Sequence, residues 1–351
     1  MAKYRLAIIG HGGMGSWHAK NVHERIPEIE VYGAYDVRPE ALDESSIPKK
    51  HYKSLEELLA DPMVDIVTIA VPNNFHKDIA IAALRAGKNV ICEKPVTLNA
   101  GELEEIIAVQ KETGKLFSIH QNRRWDKDFC IVKAAKEQGL LGDICLLESK
   151  VQGSRGAMFG WRGYKINGGG MLYDWGVHLI DQMLQLFKSK VVKVDAHLLS
   201  VFTPEVDDNI KLFMKFEEGA SAVLEMSTNC LINSPRWHVQ GTNGTLQVDD
   251  WSARGKLLKL KPNAEMEWTD DIVYTEAGPT RTMAPRPAFT MEEVPLPEVA
   301  PDWADYYKNI VGVLNGTDEL IVKPEEALRV MKVIDLMFKA NREGCGQSCD
   351  I

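Results

Sequence analysis

Two stretches of this sequence carry side chains of the kinds that move protons, and the first holds Asp174 and His178. The two are four positions apart, so on a helix they share one face and lie close enough to hydrogen-bond. A carboxylate beside an imidazole fixes its tautomer and supports the charge that the ring gains with a proton. The alternatives are an ordinary helix-surface pair or, with Asp181 on the same stripe, a metal site. No other histidine or cysteine in residues 168–181 supplies a further ligand, so we expect no metal.

The second stretch is Glu93-Lys94-Pro95, which follows a predicted strand at 88–92. A proline restricts the residue before it to extended conformations, so Pro95 favours an aimed Lys94 side chain over an ordinary surface charge. An enzyme that oxidises an alcohol must remove the hydroxyl proton while its cofactor takes the hydride. We therefore interpret Lys94 as functional and the histidine of the first stretch as a candidate for accepting that proton.

The elements that must position these residues begin with the motif Gly10-x-Gly12-x-x-Gly15. The apolar run 6–9 before it is typical of a buried strand, and helical spacing resumes after it. Gly10 allows a sharp turn, Gly12 lets a pyrophosphate approach the backbone, and Gly15 lets the helix lie close to the strand. The free N–H groups of the helix then face the phosphates. This context favours dinucleotide binding over an ordinary glycine turn.

A second apolar strand, at 30–35, ends on Asp36. A dinucleotide fold places the carboxylate that binds the ribose 2′-OH at about this position. Such a carboxylate repels a 2′-phosphate, so Asp36 predicts NAD as the cofactor, with NADP less favoured. Arg38 could soften this preference by offering a charge to the phosphate.

Strands and helices alternate up to about residue 120, which predicts parallel pairing in a doubly wound sheet. Polar clusters follow several of these strands, and the carboxyl ends of parallel strands form the ligand edge of such a sheet. Beyond residue 142, strands of alternating apolar residues are joined by hairpin-like turns. The predicted fold class is therefore α/β plus α+β. It joins an N-terminal Rossmann domain (1–122), with a doubly wound parallel sheet, to a C-terminal domain (123–351) with an open-faced, mostly antiparallel sheet.

Within the second domain we expect one embedded helix at about 170–187, a proline-rich arm at 278–301 and two closing helices at 302–314 and 324–341. The pair Cys345 and Cys349 could bind a metal, but its glycine-rich setting favours a frayed terminus.

Composition excludes several classes of partner. The net charge is −9 without a basic run, so nucleic acid is not expected. No apolar segment approaches the roughly 20 residues of a membrane helix, and the six cysteines are scattered, so we expect a cytoplasmic protein.

Alternating apolar residues at 211–216 and 222–226 would leave one face of the open sheet exposed. We therefore expect a homo-oligomer, a dimer or tetramer, built face to face on these sheets.

Three motifs together resemble the Gfo/Idh/MocA oxidoreductases, which include glucose–fructose oxidoreductase and inositol dehydrogenase. They are AIIGHGGMG at 7–15, CEKP at 92–95 and GGGMLYDWGVHLID at 168–181. The resemblance covers essentially the whole chain and implies a C-terminal helix that returns to the Rossmann domain. The segment 120–129, HQNRRWDKDF, looks most like the branch that acts on inositols and on glycosides at a ring secondary hydroxyl.

The resemblance also implies roles for individual residues. The catalytic group would be Lys94, Asp174 and His178, with His178 as proton acceptor and Lys94 touching both the substrate hydroxyl and the nicotinamide ribose. The residues it implies for cofactor binding are Gly10, Gly12, Gly13, Met14, Gly15, Asp36, Arg38, Pro72, Asn73, His76, Glu93, Lys94, Asn122, Trp161 and Arg162. Those for substrate binding are Lys94, Arg124, Trp125, Asp174 and His178. Trp125, Trp161 and Trp175 offer flat faces that suit a pyranose ring, although each could equally be packing.

Three functions follow from these features. The first is an NAD-dependent oxidoreductase that converts a ring secondary hydroxyl of a sugar, glycoside or cyclitol to the ketone. We expect the reacting group to be C3 of a glucosyl unit or an inositol hydroxyl, with hydride passing to NAD and the proton to His178. The alternative is redox-neutral glycoside cleavage through a transient keto-sugar, with NAD tightly bound. The third, a regulator that has lost catalysis, is disfavoured because Lys94, Asp174 and His178 are all present.

Overall fold

A computed structural model describes residues 3–43, 46–262, 272–281 and 286–351. The first part of the chain forms a six-stranded parallel sheet in the order β3-β2-β1-β4-β5-β6. Its elements are β1 (Tyr4–Ile9), α1 (Gly13–Arg25), β2 (Ile29–Tyr35), β3 (Lys50–His51), α2 (Leu55–Ala60), β4 (Ile66–Ile69), α3 (His76–Arg85), β5 (Asn89–Cys92), α4 (Ala100–Thr113) and β6 (Phe117–Ile119). This is the doubly wound Rossmann order, which confirms the predicted fold class for this region.

Local sequence signals explain these elements. The central strands are short apolar runs, and every residue of Ile66–Ile69 is buried, as expected for a sheet with helices on both faces. Helix α4 begins where the Asn99 side chain accepts a hydrogen bond from the backbone N–H of Glu102 (2.9 Å). It ends at Gly114, which adopts the left-handed conformation that a helix C-terminus favours.

The second part of the chain forms a nine-stranded sheet in the order β16-β13-β12-β11-β7-β10-β9-β8-β17. Only the β7–β10 pair of this sheet is parallel. The elements are α5 (Lys127–Glu137), β7 (Ile144–Gln152), α6 (Val177–Leu186), β8 (Val191–Leu199), β9 (Asn209–Phe216), β10 (Ser221–Ser227), β11 (Trp237–Gly241), β12 (Gly244–Val248), β13 (Gly255–Leu260), β14 (Ile272–Thr275), β15 (Gly278–Arg281), β16 (Met291–Val294), α7 (Ala304–Asn315), α8 (Pro324–Glu343) and β17 (Gln347–Ser348). The mostly antiparallel open sheet is thereby confirmed as well.

The apolar face of this sheet is not exposed, contrary to expectation. Leu212, Met214 and Phe216 are fully buried within the chain. Helix α8 packs along β8 and against α6, and Phe216 contacts Phe187 just after α6, with ring centroids 4.4 Å apart. The sequence pattern was right about which face is apolar, but helices of the same chain cover that face. An exposed apolar face was the reason to expect a face-to-face oligomer, and that reason no longer holds.

The C-terminal tail is ordered, so the predicted frayed terminus is wrong. Gln347–Ser348 pairs with β8, and the Cys349 N–H donates to the Val192 carbonyl (3.0 Å). These backbone bonds close one edge of the sheet and hold the tail. The predicted arm at 278–301 also contributes to structure, because Met291–Val294 pairs with β13; residues 282–285 of the arm lie outside the described residues.

The two closing helices connect the sheets. Helix α7 packs against α1, and α8 reaches back to α4, where Asp335 accepts a hydrogen bond from the Ala100 N–H (2.9 Å). The C-terminal helix thus returns to the first sheet. In the described part of the chain, no helix is both long and apolar enough to cross a membrane. The boundary between domains at residue 122 stays a prediction.

Candidate active site

A cavity of about 1050 Å³ lies at the carboxyl ends of the parallel strands, between the two sheets. It brings together most of the residues that the sequence predicted for the site. These are Gly10, Gly12, Gly13, Met14, Asp36, Arg38, Pro72, Asn73, Glu93, Lys94, Asn122, Trp161, Arg162, Asp174 and His178. The cavity is therefore assembled from strand ends of the first sheet and from the segment that leads into α6.

The glycine loop has the geometry that a dinucleotide needs. Gly10 has φ +88°, and a Cβ on Gly15 would lie 1.9 Å from the Gly10 carbonyl oxygen, so the close packing of α1 on the strand requires glycine there. A Cβ on Gly12 would meet no atom within 4 Å and would project into free space. This open space at the N-terminus of α1 fits a pyrophosphate group.

Asp36 is held at the end of β2 by two backbone hydrogen bonds. Its carboxylate accepts from the N–H groups of His11 (2.8 Å) and Arg38 (2.9 Å). A carboxylate can accept further hydrogen bonds, so Asp36 keeps capacity for a ribose hydroxyl on the cavity wall. The Arg38 side chain is exposed and lies 3.5 Å from the same carboxylate.

Lys94 and Asp174 form an ion pair across the cavity. The Lys94 ammonium donates to Asp174 Oδ1 (2.9 Å) and to the Asp174 carbonyl (2.7 Å). Arg162 Nε donates to the same Oδ1 (3.2 Å). Burial raises the pKa of the Asp174 carboxyl, but the Lys94 and Arg162 cations outweigh burial and leave the pKa below its usual value. Asp174 is thus ionised and holds both cations toward the cavity.

The strand end that carries Lys94 is fixed by a buried polar cluster. Glu93 Oε1 accepts hydrogen bonds from His18 Nε2 and His120 Nδ1, both at 2.8 Å, and Tyr307 donates to His18 Nδ1 (2.8 Å). Burial alone would raise the pKa of Glu93, but the two histidines hold it well below its usual value. Three ligand atoms of this cluster lie within 4.8 Å of one another, a spacing that could hold a cation. Because both histidines hydrogen-bond directly to Glu93, we interpret this cluster as a support for the strand end that carries Lys94.

His178 is buried and hydrogen-bonds to a residue that the sequence did not predict. Its Nδ1 donates to Gln121 Oε1 (3.0 Å), which leaves Nε2 as the basic nitrogen. Burial, reinforced by the cations of Lys94 and Arg123, holds the pKa of His178 well below its usual value. The ring is therefore neutral near pH 7 and able to accept a proton.

The expected hydrogen bond between Asp174 and His178 is replaced by these two contacts. Residues Leu172–Gly176 form a π-helical turn, whose first N–H is held by Asp207 Oδ2 (2.7 Å to the Leu172 nitrogen). A π turn is wider than an α turn, so residues four apart no longer lie one above the other. Asp174 therefore positions Lys94, and Gln121 positions the histidine.

Four predicted residues lie outside the cavity lining. Gly15 lies beneath the loop. The His76 ring lies against the carbonyls of Pro95 (2.8 Å from Nδ1) and Val71 (3.0 Å from Nε2), and its neutral form donates a hydrogen bond to one of them. His76 thereby fixes the two strand ends that carry the cofactor segment and the lysine. Trp125 packs edge-on against Tyr306, with ring centroids 6.0 Å apart.

Arg124 is the fourth, and the structure gives it a different task. Its guanidinium forms two hydrogen bonds to Asp181, at 2.6 and 2.8 Å, and one to Glu326 at 2.7 Å. These ion pairs connect the turn after β6 to α6 and to α8. Because these partners occupy the guanidinium, we do not retain the predicted role of Arg124 in substrate binding.

Its neighbour Arg123 faces the cavity instead. The Arg123 guanidinium lies 4.0 Å from the centroid of the Trp175 ring and 2.9 Å from Asp126. Sequence reasoning assigned no role to Gln121 or Arg123. The polar run 121–124 directly after β6 was the signal that could have found both.

Comparisons with known proteins agree with this geometry. The oxidoreductase family model with an NAD-binding Rossmann fold (GFO_IDH_MocA) matches residues 4–121, and the GFO/IDH/MocA C-terminal domain model matches residues 129–247. An oxidoreductase of Schizosaccharomyces pombe is 30% identical over 83% of this chain and 83% of its own. The scyllo-inositol 2-dehydrogenase (NADP(+)) of Bacillus subtilis is 26% identical over 97% and 94%. The crystal structure of an NAD-binding protein from Listeria innocua is 42% identical over 99% of this chain and 100% of that chain, with a TM-score of 0.89.

Substitutions at Gly12 and Gly15 should separate an effect on folding from an effect on cofactor binding. Gly15→Ala should destabilise the cofactor-free protein by about 1–3 kcal/mol, because its Cβ collides with the Gly10 carbonyl. Gly12→Ala should leave the melting temperature unchanged and weaken NAD binding about tenfold or more, roughly 1.4 kcal/mol. Thermal unfolding and calorimetric titration measure the two effects. Wild-type NAD affinity in Gly12→Ala would show that the loop does not hold the pyrophosphate.

Proposed function

Because this chain belongs to the GFO/IDH/MocA oxidoreductase family, we propose that it oxidises a ring secondary hydroxyl of a sugar, glycoside or cyclitol to the ketone. Family membership makes it an NAD(P)-binding oxidoreductase that acts on CH–OH donors, and the relative from Bacillus subtilis is an inositol dehydrogenase. The best candidates for the reacting group are C3 of a glucosyl unit and an inositol hydroxyl. The observation that carries the proposal is a neutral His178 beside the Lys94 ammonium in the cavity of the glycine loop.

The side chains divide the chemistry between them. The Lys94 ammonium, held by Asp174, donates a hydrogen bond to the reacting hydroxyl oxygen and stabilises the negative charge that develops there. His178 Nε2 accepts the hydroxyl proton, while Gln121 fixes the ring through Nδ1. A nicotinamide dinucleotide bound in the cavity supplies the acceptor for the hydride that leaves carbon. Proton and hydride thus leave the same CH–OH group in different directions.

We also propose that the enzyme is cytoplasmic and that it forms a homo-oligomer. All six cysteines are free thiols, which supports a cytoplasmic location. On the outer face of the nine-stranded sheet, Phe213 and Val223 are only half-buried. A second subunit would cover them, which supports a homo-oligomer, a dimer or tetramer.

We expect NAD to bind at least about tenfold tighter than NADP, a difference of about 1.4 kcal/mol. The physical reason is that the Asp36 carboxylate accepts from a ribose hydroxyl and repels a 2′-phosphate. Competitive titration of both cofactors measures the preference, and Asp36→Asn should narrow it. Equal affinities for the wild-type protein would remove the role assigned to Asp36. The Bacillus subtilis relative has NADP in its name, so the resemblance to it does not by itself predict a preference for NAD.

A screen of inositols, free hexoses and glycosides with NAD tests the reaction itself. We expect the absorbance of the reduced nicotinamide to rise in proportion to the ketone formed. Glycoside cleavage without accumulation of reduced cofactor would instead support the redox-neutral alternative. An absence of both on every ring polyol would contradict the proposed function.

Removing the proton acceptor should lower kcat while cofactor binding survives. We expect His178→Ala to lose about 10²–10⁴-fold in kcat, the usual scale of general-base assistance. Lys94→Ala should lose kcat and also weaken NAD binding, because the ammonium faces both ligands. The matched control is His197→Ala on the exposed surface of β8, which should behave as wild type. If His178→Ala keeps near wild-type turnover on every substrate, the proton goes elsewhere.

The pH dependence should report the environment of His178. Only its neutral form accepts a proton, so activity falls as pH drops through its pKa, which burial places well below 6.5. Gln121→Glu puts a carboxylate beside Nδ1–H, which raises that pKa and should move the acid limb of kcat/KM to higher pH. Gln121→Leu, the control, should lower kcat without moving the limb upward. An unshifted profile in Gln121→Glu would show that Gln121 does not set the state of the base.

A further inference from the structure

We infer that the substrate carries a second ring-sized unit beside the ring that is oxidised, and that a second cavity binds this unit. The inference rests on the proposed function, since it extends the same site. It narrows the substrate class from any ring polyol to a glycoside whose second unit is itself a ring with an apolar face.

The second cavity, of about 750 Å³, adjoins the catalytic one. Four residues line both spaces: Arg123, Arg162, Asp174 and Trp175. One of them, Asp174, is the ion-pair partner of Lys94, and a second, Arg162, contacts Asp174. A ring placed at His178 therefore has the second cavity beside it. A volume of this size is within the range of pockets that hold drug-sized ligands, so it exceeds the needs of a few solvent molecules.

The walls of the second cavity present aromatic faces that no side chain of the site covers fully. Trp251, in the turn between β12 and β13, is 48% exposed, and Phe159 is 64% exposed. Met158 and Met171 add apolar surface on the same walls. Large aromatic side chains left open at a cavity suit the apolar face of a ring, which would remove that surface from water.

The aromatic wall is also held in place. The Arg123 guanidinium contacts both the Trp175 and the Trp251 ring, 4.0 and 5.3 Å from their centroids, and these two centroids are 5.6 Å apart. The buried Arg236 also contacts Trp251, 4.8 Å from its ring centroid. The ring of Trp251 is therefore oriented before a ligand arrives, which lowers the entropy lost on binding.

The charge of the cavity restricts the second unit further. Arg155 lies over the Phe159 ring at 6.0 Å, and within the described part of the chain no carboxylate pairs with it. Arg123 and Arg162 line the same cavity but are paired with Asp126 and Asp174, so among its described lining residues Arg155 is the cation without an ion-pair partner. A neutral ring that carries hydroxyl or ether oxygens can accept hydrogen bonds from the Arg155 guanidinium, whereas a cationic second unit would be repelled by it.

A free cyclitol or hexose would use only part of this surface. A single ring at His178 leaves the aromatic faces of Trp251 and Phe159 in water, and their burial then adds nothing to binding. A glycoside with a second ring fills both spaces. The expected preference is expressed in kcat/KM, because remote binding contacts position the ring that reacts.

The test compares methyl and phenyl glucosides, as α and β anomers, with myo-inositol as the single-ring reference. For the wild-type protein with NAD, kcat/KM should be at least about tenfold higher for a phenyl glucoside than for its methyl counterpart. Phe159 lines the second cavity and not the catalytic one, so Phe159→Ala should bring that ratio close to one, and Trp251→Ala should lower the ratio as well. The matched control is Phe289→Ala, a phenylalanine of similar exposure (55%) on neither cavity wall, which should keep the wild-type ratio.

The outcomes separate this inference from the proposed function. Equal kcat/KM on both glucosides, or turnover of myo-inositol alone, would overturn the inference and leave the proposed function standing. If no compound reduces the nicotinamide, the proposed function fails, and calorimetric titration of phenyl glucoside into the NAD-loaded protein still decides the second cavity. Binding that is lost in Phe159→Ala and kept in Phe289→Ala supports it; binding that is absent, or equal in both variants, overturns it.

Discussion

The ion pair between Lys94 and Asp174 is the contact on which the site depends. Lys94 follows β5 of the parallel sheet, and Asp174 lies in the π-helical turn before α6 of the second part of the chain. Each partner is useful only if its own segment is fixed. The buried cluster of Glu93, His18 and His120 fixes one side. The Arg124 ion pairs to Asp181 and Glu326 fix the other, and breaking a buried pair of this kind typically costs about 3–5 kcal/mol.

The need to fix both segments explains why buried polar residues such as His18, His120 and Tyr307 surround the site without lining the cavity. A buried carboxylate is stable only when donors surround it, so Glu93 requires two histidines, and one of these requires Tyr307. His18, His120 and Tyr307 do not line the cavity, yet through Glu93 they set the direction of the lysine. Gln121 acts in the same way on His178, since its amide decides which ring nitrogen remains basic.

Much of this could be predicted from the sequence because the signals were local. The glycine loop, Asp36 and Lys94 all follow short apolar strands, and parallel strands bring their carboxyl ends to one edge. The rest depends on three-dimensional packing. Arg123 and Arg124 are adjacent in one short turn, and only the position of Asp181 shows that the second is buried and the first faces the cavity.

The other errors have equally specific causes. A spacing of four residues implies contact on an α-helix, and the π turn at Leu172–Gly176 breaks that rule. Alternation in β9 identifies an apolar face but cannot tell a helix of the same chain from a second subunit as its cover. A glycine-rich terminus gives no sign that Gln347–Ser348 will pair with β8, because strand pairing is a long-range contact.

The central claim is that His178 and Lys94 act together on one hydroxyl group. A crystal structure of the protein with NAD and a ring substrate tests this most directly. The claim predicts one substrate hydroxyl oxygen within hydrogen-bond distance, about 2.6–3.2 Å, of both His178 Nε2 and Lys94 Nζ. A bound ring whose hydroxyl groups all contact other side chains, with His178 Nε2 facing away from it, would contradict the claim.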